Sequence, residues 1–221
     1  MKIAYEKMNT VLEINTNCVN SLIVEKPGFL HQILMELKQA MEGEESHMVV
    51  SEQEKPVIAS KVVSVVTDFV GFTLNQKSLL TKIISELDKT SKNELYFKES
   101  QEILAHIENY IMNLTLYFPC ELTCERLNTQ NLLKSVGISI VDDYETLEEQ
   151  LLTYMDLARE FEGKKLFIFV NLRCLVEPER LQLMMDTALA REHQILLIDN
   201  VEYPKLVKER RIIIDADFCE I

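Results

Sequence analysis

Apolar positions divide the chain into stretches of two different periods. Lys2–Glu6 and Val11–Ile14 read as short strands joined by a turn at Met8–Thr10, and Ser21–Glu25 as a further apolar strand. After Pro27 and Gly28, the residues Phe29, Leu30, Ile33, Leu34, Leu37 and Met41 repeat at three and four, one face of a helix. The polar stretch 43–56 reads as loop with a short strand at Met48–Ser51, and Lys61–Val66 (KVVSVV) as a β-branched strand.

A longer helical period follows. Asn75 is placed to cap a helix carrying Leu79, Leu80, Ile83, Ile84 and Leu87. A second helix carries Ile103, Leu104, Ile107, Tyr110, Ile111, Leu114, Tyr117 and Phe118, a near-heptad seam suited to two antiparallel helices packed along their length. Pro119 ends it, and a short helix at Asn131–Val136 stops at Gly137 as a left-handed cap. Strands at Ile138–Val141, Lys165–Val170, Gln194–Ile198 and Arg211–Ile214 then alternate with helices at Thr146–Phe161 and Glu177–Glu192, which predicts a largely parallel sheet covered on both faces. The expected organisation is an α/β head from 1–73 and 137–221, interrupted by a helical excursion at 74–136.

Composition changes this picture in two ways. With 47% hydrophobic and 27% charged residues in 221, the chain is long and apolar enough to bury a core without disulfides. Five scattered cysteines, no signal-like start and no apolar run of spanning length suit a reducing, cytoplasmic compartment. The net charge of −13 repels nucleic acid unless positive charge is localised or a cation intervenes. Residues 74–136 hold seven Lys/Arg against eight Asp/Glu, so the excursion carries −1 and the remainder −12. The excursion is thus the less hostile surface for an anion.

Catalytic chemistry finds little support. A nucleotide-binding fold would place its phosphate loop after the first parallel strand, where successive glycine N–H groups and a Lys wrap the phosphates. Here Glu25-Lys26-Pro27-Gly28 offers one glycine, no G-K-[ST], and a proline that removes a donor. No G-x-S-x-G is present, and Cys120-x3-Cys124 lacks the second ligand pair that zinc needs. Asp68, Asn171 and Asp199 follow strands, where ligands gather in open sheets but where caps and turns also sit. Glu121 and Glu125, four apart, share a face if their segment is helical, and Asp142 lies in an acidic cluster with Asp143 and Glu145. Both are read as a solvated acidic surface or as oxygen donors for calcium. Lys82, Lys89 and Lys92 form either a basic stripe or, with Glu86, a salt-bridged surface.

Three segments carry a resemblance: Val66–Asn75 (VTDFVGFTLN), Leu132–Ile140 (LLKSVGISI) and Lys164–Asn171 (KKLFIFVN). In this order and spacing they resemble the accessory adaptation protein of type II-A CRISPR systems. The resemblance implies a degenerate NTPase-like head with an inserted α-helical leg, assembled as a ring-shaped homotetramer without catalytic activity. It further implies calcium-dependent, sequence-independent binding of linear double-stranded DNA ends in spacer acquisition and antiviral defence. The CRISPR integrase complex and the RNA-guided effector nuclease are the implied protein partners. On that footing Lys82, Lys89, Lys92 and Lys134 are candidate DNA contacts, and Glu121, Glu125 and Asp142 candidate calcium ligands. Thr123 and Asn131 stand where that family's pattern is richer in carboxylates. The alternative is a protein-binding scaffold built on a dead nucleotide-binding fold.

Overall fold

A computed structural model describes residues 1–221. Along the chain the elements are β1 (Lys2–Tyr5), β2 (Leu12–Glu13), β3 (Val19–Val24), α1 (Pro27–Glu42), β4 (Met48–Glu52), β5 (Lys55–Pro56), α2 (Ala59–Val62), β6 (Val63–Val66), α3 (Lys77–Ser91), α4 (Phe97–Thr115), α5 (Thr129–Ser135), α6 (Leu147–Leu157), β7 (Leu166–Val170), α7 (Pro178–Ala190), β8 (Gln194–Asp199) and β9 (Glu209–Ile214). The chain divides into two compact units, one formed by Met1–Thr73 with Asp143–Ile221, the other by Leu74–Asp142.

The first unit is a mixed α/β body around a five-stranded sheet of order β6-β7-β8-β3-β9, parallel throughout. Its middle strands are apolar on both faces because both are covered. In β7, Leu166, Ile168 and Val170 join the core beneath α1, together with Ile33 and Leu37 of that helix. The alternating Phe167 and Phe169 belong to the opposite face, where Tyr154 of α6 meets Phe167 edge-on at 6.3 Å and Phe69 lies 6.4 Å from Phe169. On that side α6 and α7 bury Leu151, Met155, Leu181, Met184 and Met185. A small antiparallel sheet of order β2-β1-β4-β5 adds Ile3, Tyr5, Leu12, Met48 and Val50 to the α1 core.

In the second unit α3 packs against α5. Asn128 caps α5 by accepting the Asn131 N–H at 2.8 Å, and Gly137 follows its end in the left-handed region at φ 70°. The two ends of the unit are cross-tied. Asp142 Oδ2 accepts the Leu74 N–H at 2.8 Å, while the Asn75 side chain accepts from Ile140 N at 2.8 Å and donates to Ile140 O at 3.0 Å.

Several sequence expectations need correction. Ile138–Val141 is not a strand: its polar backbone groups at Ile140 are taken by Asn75. Asn75 in turn is not the cap of α3, whose N-cap position is Gln76. Lys61 and Val62 close the helical turn α2, and the strand begins at Val63. Finally, α4 ends at Thr115, before Tyr117 and Phe118, and only Leu104 of its apolar seam is buried.

Candidate nucleic-acid interface

The basic residues of the second unit fall into two groups. Lys89 Nζ contacts Glu86 at 2.6 Å and Lys92 Nζ contacts Asp88 at 2.7 Å, so the anticipated stripe is self-neutralised at the C-terminal end of α3. Lys82 on α3 and Lys134 on α5 are exposed and make no ion pair. The helices that carry them are the pair that pack together. Arg126, which sequence reasoning passed over, is likewise exposed and unpaired in the irregular segment before α5. Its signal was available: it is the one arginine between 74 and 142.

The proposed calcium ligands are not brought together. Residues 118–128 form no helix, so the four-residue spacing of Glu121 and Glu125 gives them no common face, and both lie exposed. Pro119 forbids the continuation of α4 that a shared face requires. Asp142 has an oxygen committed to the Leu74 N–H. No group of three or more His, Cys, Asp or Glu side chains is arranged to hold a metal ion. One copy of the chain therefore does not fit calcium through Glu121, Glu125 and Asp142 together.

The residues that follow the parallel strands are structural. Only Glu25 and Lys26 separate β3 from α1, which leaves no loop long enough to wrap a phosphate. Lys26 Nζ is held 4.0 Å above the Phe218 ring, and Phe218 meets Phe29 edge-on at 5.2 Å. Asp68 accepts the N–H groups of Val70 and Gly71 at 3.1 and 3.0 Å, a local turn. A Cβ on Gly71 would stand 2.9 Å from Asp68 Oδ2, so a larger residue there would push the Asp68 carboxylate out of its place. Asn171, in the left-handed region at φ 57°, accepts the Asn200 N–H at 3.2 Å.

Asp199 belongs to a buried charged cluster. Its carboxylate lies 3.0 Å from Arg173 Nε, and Arg173 also reaches Glu209 at 2.8 Å and Ser21 Oγ at 2.8 Å. Burial pushes the Asp199 carboxyl up to about 6, against the pull of Arg173. Burial acts to raise Glu209 too, but hydrogen bonds from Arg211, the Leu206 N–H and Arg173 outweigh it and hold that carboxyl below its ordinary value. These groups knit the 200–208 connection to the sheet edge.

Comparison with known proteins gives this arrangement a context. The sequence model described as CRISPR-associated protein (Cas_Csn2) matches residues 40–218. The chain belongs to the Csn2 family. A relative from Enterococcus faecalis, named CRISPR-associated protein Csn2, is 23% identical over 198 residues, covering 89% of this chain and 87% of its own. Among solved structures, a putative ABC transporter ATP-binding protein from Pyrococcus furiosus aligns over 96% of this chain and 94% of that one, at 9% identity and a TM-score of 0.41. Within this Csn2-family chain no helix is long and apolar enough to cross a membrane.

Proposed function

We propose that the protein is a non-catalytic, sequence-independent binder of linear double-stranded DNA ends, working as a ring-shaped homotetramer in CRISPR spacer acquisition. The observation that carries the reading is the placement of unpaired, exposed Lys82 and Lys134 on adjoining helices, in the least acidic part of a family member whose net charge is −13. Assembly supplies what one copy lacks: four copies multiply the free cations around one axis. The exposed apolar side of α4, with Tyr110 and Leu114, supports such assembly, because surfaces of this kind are covered in stable complexes. The two-residue β3–α1 turn and the stacked Lys26 support a reading without nucleotide hydrolysis.

Calcium dependence stays part of the reading, with ligands drawn from more than one copy or from residues other than the three anticipated. The integrase complex and the RNA-guided nuclease are its proposed protein partners, in the cytoplasm. The test compares linear and relaxed circular duplex of one sequence, with calcium and with chelator. Threading requires binding of the linear form alone, weakened by chelation and by salt. Equal affinity for closed circles would sink it. A second reading, a protein-binding scaffold with no DNA activity, is favoured by the same α4 surface and gains if neither form binds.

A further inference from the structure

The second unit contains a cavity of about 450 Å³, walled by the end of α3, the middle of α4, the segment before α5 and the first residue of α5. This lies within the range of small-ligand sites, roughly 300–1,000 Å³. Its polar lining is unbalanced. The Arg126 guanidinium, the Gln101 amide and the Thr129 hydroxyl line it and have no hydrogen-bond partner in the fold. Lys92 also lines it, and its bond to Asp88 leaves further ammonium protons free. On the acceptor side stands Glu108, with one oxygen already bound to the Leu127 N–H at 3.1 Å. Leu104 and Leu127 supply an apolar wall.

A cavity with two cations and two uncharged donor groups wants a ligand rich in acceptor oxygens and negative charge. The second oxygen of Glu108 wants a donor on the same ligand, such as a hydroxyl or an amine. A guanidinium matches a phosphate in two-point geometry, which a lone lysine cannot do. We propose that this cavity binds a phosphate monoester carrying a nucleoside-sized body, with Arg126 and Lys92 on the phosphate and Glu108 on a hydroxyl or exocyclic amine. This goes beyond duplex binding through outward-facing phosphodiesters. A monoester is found on a free nucleotide and at the 5′ end of a DNA strand, and both share the chemistry recognised here.

The purified full chain, without duplex, is titrated calorimetrically with dAMP, with inorganic phosphate and with deoxyadenosine. dAMP is expected to bind, phosphate more weakly, and deoxyadenosine not at all. Arg126→Glu should weaken dAMP by about tenfold or more, the worth of a charge-assisted hydrogen bond. Arg126→Lys should recover part of that loss. Arg126 is exposed and unpaired, so the variants keep the fold, which the melting curve verifies. No binding of dAMP at millimolar concentration, or equal binding by Arg126→Glu, overturns the proposal. Blunt duplexes with 5′-phosphate and 5′-hydroxyl ends then separate the sources. A preference for the phosphorylated end that Arg126→Glu abolishes assigns the site to DNA ends, and equal affinity with dAMP still bound assigns it to free nucleotide. Since the dAMP titration needs no duplex and the linear-against-circular comparison needs no monoester, either reading fails without the other.

Discussion

Asp199 is 1% exposed and neither of its carboxylate oxygens receives a hydrogen bond, although Arg173 stands beside it. A carboxyl raised from 3.8 to about 6 binds protons more readily in the folded state than in the unfolded one. Its contribution to stability is therefore present below about pH 4 and lost as pH rises through about 6. The loss is roughly 3 kcal/mol. Asp199→Asn should flatten the fall in melting temperature between pH 4 and 7 relative to the parent, and an unchanged slope would show that another group titrates there. The free and paired lysines give a second residue-level expectation. Lys82→Ala and Lys134→Ala should each lower the slope of log affinity for linear duplex against log salt by about one per contact removed. Lys89→Ala should change it less, because Glu86 already neutralises that ammonium. Equal effects from all three, in filter-binding titrations across salt, would contradict this division. Local residues were only partly legible in sequence. The spacing of Glu121 and Glu125 suggested a shared face, but spacing acts only through a helix, and residues 118–128 form none. The pairing of Lys89 with Glu86 was legible because i,i+3 and i,i+4 neighbours meet on any helix, while Asp88 as the partner of Lys92 was passed over.

Elements whose apolar pattern is satisfied inside their own unit were read correctly in kind. The run Leu166–Val170 is buried at every position, and α1 buries Phe29, Leu30, Ile33 and Leu37 as its period requires. The failures occur where a distant side chain takes the backbone, as Asn75 does at Ile140, a partner 65 positions away that no local pattern reveals. The α4 seam fails differently: its pattern is helical, but Tyr110, Leu114, Tyr117 and Phe118 remain exposed within one chain, Tyr117 at 93%. If assembly covers this side, Tyr110→Glu with Leu114→Glu should yield a monomer near 25.7 kDa by light scattering, while the melting temperature of the α/β unit changes little. A species of four times that mass after both substitutions would place the interface elsewhere. The cap of α5 sets a separate scale. Asn128→Ala should cost about 1 kcal/mol in denaturant unfolding, since the Asn131 N–H then loses its acceptor.

At the scale of the whole molecule, the helical unit leaves the α/β unit after Thr73 and returns at Asp143. Its two ends are tied to each other through Leu74–Asp142 and Asn75–Ile140. Excising 74–142 and joining the flanks through a short Gly/Ser linker should leave an α/β unit that still unfolds cooperatively. A molten, non-cooperative product would show that the second unit is needed to complete the first. The sheet order has its own consequence, which concerns time rather than stability. Strand β3 lies between β8 and β9, so Asn20 stands opposite Leu196 and Arg210. A ribosome adding roughly 5–20 residues per second makes β3 long before either neighbour. For about ten seconds or more a strand that ends up buried at every position has no partner on either edge. In that interval α1 and the paired strands β1 and β4, already synthesised, are the cover available to it. The order in which this protein is made leaves this inner strand as the part that waits longest for its neighbours.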